Sequence, residues 1–348
     1  MRNDSFAPDA YLFALHEASY AAPFANAHTA EQARAAAASV RQSLRELLAL
    51  DTLYGRCGEL RPVVRGAARR KGYTETTLSI EICEGWHMLA YLLTPDNPNG
   101  AGVVALCGHG YGARQALRLS GHGRYRNINF LDNYQKNFAA ELARRGCTVA
   151  VPELIAFGEA RLRKDRHRSF YASSCYAVTA ALHLCGSSTA ALRVYQAVRC
   201  LDLLEQQPRI ERLGCMGISG GGLVSLLTAC ADQRVGRAVV SGYVCTLRGG
   251  VLARWHCADN YIYGLLGVGE PQDLAAAIAP RGLCIESGQR DRLFPIAGAR
   301  EAHGEIRRVY ALLDAADNLV VDEFDGKHQI SGKRSFGFLS EGDALWRK

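Results

Sequence analysis

Short, almost entirely apolar segments alternate with helical patterns along most of this 348-residue chain. The apolar segments lie at 103–106, 148–152, 213–218, 235–240, 283–286 and 319–324. The main helical patterns lie at 130–145, 189–207 and 297–316. Apolar strands that alternate with helices are typical of a parallel sheet covered by helices on both faces. The sequence therefore predicts an α/β core built on a mostly parallel central sheet that is flanked by helices.

Two further patterns precede this core. Residues 8–50 predict helices, because apolar side chains recur there at helical spacing. Residues 77–82 alternate between apolar and polar side chains, and a second strand pattern follows at 86–95, which together predict an antiparallel hairpin. We therefore expect a helical extension before the sheet and a hairpin at its start.

The domain organisation follows from these patterns. We expect an N-terminal helical extension at 1–70 and a single catalytic domain at 71–348, because no linker or internal repeat divides the chain. Segments 155–188 and 244–275 lack clean periodicity. These two segments are candidate insertions at the mouth of a site.

A sharp turn between a strand and a helix is predicted at Ser219. The apolar run Leu213–Ile218 leads into Gly-Ile-Ser-Gly-Gly, which matches G-x-S-x-G, and a helical pattern follows at 223–230. Such a turn strains the serine backbone, requires small neighbours and presents the hydroxyl above the sheet edge. The start of the helix also offers free backbone N–H groups. Ser219 is therefore the predicted nucleophile, and the fold is predicted to be the α/β-hydrolase fold.

A serine hydroxyl needs a base, and the base needs an orienting acid. In α/β-hydrolases the acid and then the histidine follow the serine along the chain. Asp291 comes directly after the apolar segment 283–286, and His328 follows the last predicted strand. Asp322 and Asp325 are rival acids, but both lie too close to His328 in sequence. The predicted triad is therefore Ser219, Asp291 and His328.

The oxyanion that forms during acyl transfer requires preorganised N–H donors. The residue after the nucleophile supplies one donor in this fold, which predicts the backbone N–H of Gly220. The other donor is expected from the glycine-rich loop Cys107–Gly112, which follows the first apolar strand. Glycines in that loop allow the backbone to approach a substrate closely. We predict the N–H of Tyr111 as the second donor.

Taken together, these motifs resemble those of serine α/β-hydrolases of the dienelactone hydrolase and acetyl xylan esterase-like group. The matching residues are His109-Gly110-Tyr111-Gly112, Phe157-Gly158-Glu159-Ala160-Arg161, Arg199, Asp202, Gly217-Ile218-Ser219-Gly220-Gly221-Gly222, Gly288-Gln289-Arg290-Asp291-Arg292-Leu293-Phe294-Pro295 and Gly326-Lys327-His328. The resemblance covers residues 75–335. It implies that the tyrosine of His-Gly-Tyr donates its backbone N–H to the oxyanion, as in acetyl esterases that act on sugars and cephalosporins.

The chain departs from the group at two points. The sugar deacetylases commonly carry glutamine after the nucleophile, whereas this chain has Gly220. Dienelactone hydrolases use a cysteine nucleophile, so Ser219 argues against that reaction. The resemblance therefore predicts the catalytic triad but does not determine the substrate.

The charge distribution and the cysteines limit the expected binding partners and the expected cellular compartment. The formal charge is +7, but basic residues are scattered, and the densest run, at 161–168, is expected to be a solvated loop. We expect no nucleic-acid partner and no membrane span. Twelve cysteines without a C-x-x-C pair, together with an N-terminus that lacks a signal-peptide pattern, predict a reducing cytoplasm. The sequence does not indicate an oligomeric state.

No cofactor and no metal site are expected. His256 has no second ligand at a suitable spacing, so a structural role is predicted for it. Cys107 at a strand end is expected to be a packed thiol. Trp255, Tyr261 and Tyr263 lie in the irregular segment 244–275, where pocket lining and simple packing are equally good interpretations.

The predicted function is hydrolysis of small acetyl or short-acyl esters through an acyl-enzyme. Three alternatives remain at this point: a serine peptidase of the prolyl-oligopeptidase type, a hydrolase of C–C bonds that uses the same triad, and a non-catalytic binding protein. Only about 70 residues precede the predicted catalytic domain, too few for the propeller of prolyl oligopeptidases. An intact triad argues against a binding protein without catalytic activity.

Overall fold

The computed structural model describes residues 7–56, 58–117, 133–169 and 172–342. Its strands are β1 (Val63–Arg70), β2 (Tyr73–Cys83), β3 (Trp86–Pro95), β4 (Ala101–Leu106), β5 (Thr148–Pro152), β6 (Arg212–Ile218), β7 (Val235–Ser241), β8 (Gly282–Gly288) and β9 (Leu319–Phe324). Its α-helices are α1 (Asp9–Ser19), α2 (Ala30–Leu47), α3 (Leu50–Tyr54), α4 (Ala113–Leu117), α5 (Phe138–Arg144), α6 (Cys175–Leu184), α7 (Thr189–Glu205), α8 (Gly220–Ala231), α9 (Pro271–Ala276), α10 (Ile296–Leu312) and α11 (Ser335–Ser340).

These strands form one sheet in the order β1-β2-β3-β5-β4-β6-β7-β8-β9. Strands β1, β2 and β3 pair antiparallel, and β3 pairs antiparallel with β5. The pairs from β5 through β4 to β9 are all parallel. Every residue of β4 and β8 is buried, as expected for strands with helices on both faces. The predicted mostly parallel sheet, its leading hairpin and its flanking helices are confirmed.

The strand order reverses at β4. The chain passes from β4 to β5 on one side of it and then crosses to β6 on the other side. In open α/β sheets, ligands bind outside the carboxyl ends of the strands at such a reversal. The fold therefore directs attention to the loops that follow β4 and β6.

The N-terminal helices pack onto this core. One face of α2 is buried, and its side chains recur every three or four residues: Ala33, Ala37, Val40 and Leu44. This face packs against α8 and α9. Arg41 Nη1 donates to the carbonyl of Ala277 at 2.9 Å, and Arg45 Nη1 donates to the carbonyl of Ala231 at 3.1 Å. Since both carbonyls lie at helix ends, these bonds satisfy acceptors that the helices leave unpaired.

Two predicted boundaries are wrong. Residues 63–70, assigned to the helical extension, form the edge strand β1. Its side chains are almost all exposed, so the apolar alternation that marks a strand is missing. The helix predicted at 130–145 begins only at Phe138, and residues 130–132 lie outside the described part of the chain. Lys136 and Asn137 have φ of 49° and 54°, which a helix does not accommodate.

The basic residues of the run at 161–168 are solvated except at its start. Arg161 is buried, and its guanidinium donates to the carbonyls of Gly158, Ser169 and Ala172 at 2.8 to 3.1 Å. This arginine therefore ties a loop together. The side chains of the other basic residues in the run are exposed, as predicted.

Among the described residues, no helix on its own is long and apolar enough to cross a membrane. Helices α6 and α7 reach that length and composition only as a pair, and the chain bends by 100° between them.

Candidate active site

The predicted site residues gather at one edge of the sheet. The loop that contains Tyr111 follows β4, Ser219 follows β6, Asp291 lies three residues after β8, and His328 lies four residues after β9. All four strands are parallel, so their carboxyl ends meet at this edge. The first two loops lie at the reversal of strand order, where this class of fold binds ligands.

Ser219 occupies a strained turn between β6 and α8. Its φ of 58° and ψ of −127° lie in a region that residues with side chains rarely adopt. The neighbouring glycines are required sterically. A Cβ at Gly217 would lie 2.0 Å from the Gly221 carbonyl oxygen, and a Cβ at Gly221 would lie 2.1 Å from the Leu106 carbonyl oxygen. The G-x-S-x-G sequence therefore fits the turn that it predicted.

Asp291 and His328 form a hydrogen-bonded pair. His328 Nδ1 lies 2.7 Å from Asp291 Oδ2, and the other carboxylate oxygen accepts the backbone N–H groups of Leu293 and Phe294 at 2.8 and 3.1 Å. The carboxylate acceptor favours a proton on Nδ1 and so leaves Nε2 as the acceptor. Nε2 is buried and has no hydrogen-bond partner within the described residues. In this tautomer Nε2 can accept a proton, as a general base must.

The end of β7 separates Ser219 from His328. The Ser219 N–H donates to the Ser241 carbonyl at 3.0 Å. The next residue, Gly242, has φ of 56°, and a Cβ there would lie 3.2 Å from the His328 ring. Ser219, Asp291 and His328 thus all lie beside the end of β7. The hydrogen bond between Asp291 and His328 is formed, whereas His328 Nε2 has no hydrogen bond to Ser219. Catalytic hydrogen bonds often tighten only when substrate binds.

The two predicted oxyanion donors come from this turn and from the loop after β4. Gly220 begins α8, so its N–H is one of those that a helix leaves without an internal acceptor. Tyr111 lies on the loop after β4, with its side chain buried. The same loop passes close to the nucleophile, because a Cβ at Gly108 would lie 3.2 Å from Ser219 Cβ. The backbone of the loop is therefore close enough to line the reaction site.

Residues that the sequence did not single out support this loop. The Tyr134 hydroxyl donates to the His109 carbonyl at 2.6 Å, and Gln135 Oε1 accepts the Gly108 N–H at 3.3 Å. The Tyr134 ring also stacks on His328, with 5.6 Å between the ring centroids. Tyr134 therefore contacts both the loop and the base. It was missed because its segment was predicted to be the first turns of a helix.

Glu153, which follows β5, also supports this loop through a hydrogen bond. Its Oε1 accepts the Ala113 N–H at 3.2 Å, and its other carboxylate oxygen has no partner among the described residues. Burial raises the pKa of Glu153 to about 8. A Cβ at Gly112, whose φ is 78°, would lie 1.8 Å from Oε1. The glycine thus makes room for a buried carboxyl group, and burial favours the protonated form of that group.

His109 lies directly above Gly220. A Cβ at Gly220 would lie 3.0 Å from His109 Cε1 and 3.1 Å from Nδ1. A side chain after the nucleophile would therefore press on this imidazole, and the ring or the turn would have to shift. This contact favours glycine at the position where sugar deacetylases commonly carry glutamine.

His109 is held by an ion-pair cluster. Its Nε2 lies 3.1 Å from Asp259 Oδ2, and the same carboxylate oxygen binds the guanidinium of Arg193, which is buried on α7. Burial disfavours the imidazolium, but the Asp259 charge outweighs this and raises the pKa of His109 to about 9. The Arg193 guanidinium also lies 4.1 Å from the Phe157 ring centroid. Asp259 and Arg193 gave no sequence signal, because each stands alone in its segment.

Two of the remaining candidates, His256 and Cys107, behave as structural groups. His256 packs against Phe294 with 5.1 Å between the ring centroids, and burial lowers its pKa. Cys107 is buried, which raises the pKa of its thiol and keeps it protonated. Trp255 is 87% exposed. Tyr261 and Tyr263 line a cavity of about 590 Å³ that none of the predicted triad residues lines.

Comparisons with known proteins agree with this architecture. The chain is 24% identical over 236 residues to "Putative hydrolase YtaP" of Bacillus subtilis (strain 168), which covers 66% of this chain and 73% of that protein. A crystal structure of a putative acetyl xylan esterase from Bacteroides fragilis superposes with a TM-score of 0.78 at 16% identity, over 92% of this chain and 82% of the other. The chain has the fold of the α/β-hydrolases.

A second solved structure, "Methylesterase BT1017", is also similar. It superposes with a TM-score of 0.65 at 22% identity, over 95% of this chain and 67% of the other. No family model matches the chain. At these identities the similarity establishes a common fold, on which many chemistries occur.

Proposed function

We propose that this protein is a serine-dependent carboxylic ester hydrolase that acts on small acetyl or short-acyl esters through an acyl-enzyme. The observation that carries the proposal is the position of Ser219. It occupies a positive-φ turn at the reversal of strand order, beside the same end of β7 as the Asp291–His328 pair. The esterase names of the similar structures support a reaction at an ester bond.

The first half-reaction forms the acyl-enzyme. His328 Nε2 accepts the Ser219 proton while Oγ bonds to the ester carbonyl carbon, and the carbonyl π electrons move onto oxygen. Asp291 holds the imidazole and stabilises its cation. The N–H groups of Gly220 and Tyr111 bind the oxyanion, each contributing about 3 kcal/mol to the barrier reduction. The oxyanion then re-forms the carbonyl and expels the alkoxide, which takes its proton from His328.

The second half-reaction regenerates the enzyme. Water loses a proton to His328 and attacks the acyl carbon, and the resulting oxyanion occupies the same two N–H donors. Its collapse breaks the bond to Ser219 Oγ, which recovers a proton from His328. One water is consumed in each cycle, and the products are a carboxylic acid and an alcohol.

Substrate chain length and bond type are tested with one panel. p-Nitrophenyl esters of acetate, butyrate and octanoate, a proline-containing peptide anilide and a C–C-cleavable diketone are assayed with wild type and Ser219→Ala. We expect turnover of the shortest ester and loss of about 10⁵-fold or more in kcat for the variant. Ser187→Ala, in the loop between α6 and α7, is the matched control and should leave turnover unchanged.

A fluorophosphonate probe supplies the second measurement. It should label wild type at Ser219, as mapped by peptide mass spectrometry, and fail to label Ser219→Ala. Full ester turnover by Ser219→Ala would overturn the serine mechanism. Cleavage of the anilide or the diketone without ester turnover would instead assign the site to one of the alternative reactions.

A further inference from the structure

Four side chains with metal-binding atoms converge at the loop Cys107–Gly112, which we call the oxyanion loop. They are His109 from that loop, Cys175 at the start of α6, and Cys257 and Asp259 from the irregular segment 244–275. One donor atom from each lies within 4.8 Å of the others. We propose that these four residues bind a single zinc ion. No sequence pattern indicates this site, because the ligands come from three distant segments and lack the spacing of a zinc motif.

The distances match the edges of a zinc tetrahedron. His109 Nε2 lies 3.1 Å from Asp259 Oδ2, and Cys175 Sγ lies 3.3 Å from the same oxygen and 4.0 Å from Nε2. Zinc bonds of about 2.3 Å to sulfur and about 2.0–2.1 Å to nitrogen and oxygen place tetrahedral ligands about 3.3–3.8 Å apart. Shifts of a few tenths of an ångström would bring these three ligands to that spacing, and Cys257 Sγ lies within 4.8 Å of each of them.

The donor set favours zinc over other common cations. Thiolates are soft ligands, and two of them with an imidazole suit zinc rather than magnesium or calcium, which prefer oxygen. Four protein ligands leave no position for water, which is the pattern of structural zinc sites. Cys175 and Asp259 are buried, whereas Cys257 is partly exposed, so the ion can reach the site from the Cys257 side.

Groups around the four ligands complete the site. Arg193 Nη2 donates to Cys175 Sγ at 3.3 Å, and Asn260 Nδ2 donates to Asp259 Oδ1 at 3.0 Å. Such bonds to the ligands orient them and tune their basicity. With zinc bound, two thiolates and the Asp259 carboxylate balance the charges of zinc and Arg193. The buried group is then electrically neutral, which avoids the cost of an uncompensated charge.

Zinc at this position would fix the oxyanion loop rather than take part in the chemistry. It would bind Nε2 of His109, whose ring lies against Gly220, and would join the β4 loop to segment 244–275. The expected consequence is higher thermal stability of the zinc-loaded protein. This inference does not depend on ester hydrolysis, and its test does not use turnover.

The test measures metal content directly. Tag-free, full-length protein is purified from zinc-replete medium under reducing conditions and analysed by plasma mass spectrometry, for wild type, Cys257→Ser and Cys175→Ser. We expect one zinc per wild-type chain and at least about 100-fold weaker zinc affinity in both variants, measured by chelator competition. Cys185→Ser, which removes an exposed thiol outside the cluster, should retain the metal.

Cobalt provides a second readout of the ligands. Cobalt added to metal-free wild type should produce a thiolate-to-metal charge-transfer band, which Cys257→Ser should weaken. Cys257 is partly exposed, so this variant should fold even if Cys175→Ser does not. A metal-free wild type with no cobalt–thiolate band would overturn the proposal. A Cys175–Cys257 disulfide, detected as the loss of two hydrogen atoms in intact mass, would overturn it as well.

Discussion

Two histidines lie beside the Ser219 turn, and each has an aspartate partner, but the two pairs are built differently. His328 uses Nδ1 to contact Asp291, and its Nε2 has no partner among the described residues. His109 uses Nε2 to contact Asp259, and its ring is fixed against Gly220. The first arrangement suits a ring that exchanges a proton. The second suits a ring that must stay in place.

The two aspartates differ in the same way. Asp291 accepts two backbone N–H groups and the imidazole, and it has no Lys or Arg partner within the described part of the chain. Asp259 is bound by a buried guanidinium as well as by His109. Burial opposes its ionisation, but Arg193 and His109 hold the pKa of Asp259 below its usual range. A histidine–aspartate contact therefore does not identify a catalytic pair unless its surroundings leave the histidine able to take up a proton.

The largest difference is expected between the two histidines. His328→Gln should lower kcat for a short-chain ester by about 10⁵-fold, because the base is lost. His109→Ala should lower kcat by only about 10²-fold, as for disturbance of one oxyanion donor, with KM little changed. Steady-state kinetics of both purified variants measures the difference. Equal losses in the two variants would contradict the assignment of separate roles.

Substitution of Asp291 should mainly lower activity, whereas substitution of Asp259 should mainly lower stability. Asp291→Asn should lower kcat by about 10⁴-fold with little change in the free energy of unfolding, because the amide no longer holds the required tautomer. Asp259→Asn should lower the free energy of unfolding by about 3–5 kcal/mol, because Arg193 is then buried without its counter-charge. Urea unfolding of chelator-treated proteins makes the comparison free of any metal effect. A stable Asp259→Asn protein with wild-type unfolding would remove the structural role.

The sequence predicted the first pair and missed the second for a physical reason. Ser219, Asp291 and His328 each follow an apolar strand, so the strand pattern itself indicates that they share an edge of the sheet. Asp259 lies in a segment without periodicity. Arg193 lies in α7, where polar as well as apolar side chains are buried, so its polarity does not show which way it faces. Long-range side-chain pairing in irregular segments leaves no local pattern to interpret.

The same limit applies to parts of the fold. The parallel strands were predicted because they are buried on both faces, whereas β1 was not, since its side chains are almost all exposed. Tyr134 and Gln135 were assigned to a helix because the positive φ of Lys136 and Asn137 is not encoded by glycine. Conformations imposed by tertiary contacts were therefore the ones that sequence analysis missed.

A smaller effect is expected where His109 contacts the nucleophile turn. Gly220→Ala places a methyl group about 3.0 Å from His109 Cε1, so the ring or the turn must shift. We expect kcat to fall by about tenfold, and we expect His109→Ala to remove most of this effect in the double variant. A double-mutant cycle on kcat/KM measures the coupling. Additive losses would mean that the two residues do not interact in the active protein.

The smallest expected effect concerns the acid beneath the oxyanion loop. Because the pKa of Glu153 is raised to about 8 in the folded state, folding takes up a proton between the unfolded pKa, about 4.5, and pH 8. Its contribution to stability is full below pH 4.5 and is lost as the pH rises through 8.

Glu153→Gln keeps an acceptor for the Ala113 N–H without the ionisation. The variant should match wild type at pH 4.5 and become progressively more stable than wild type up to pH 8, as measured by urea unfolding across pH. Parallel pH profiles would show that Glu153 is already ionised at neutral pH and that the oxyanion loop rests on a charged carboxylate.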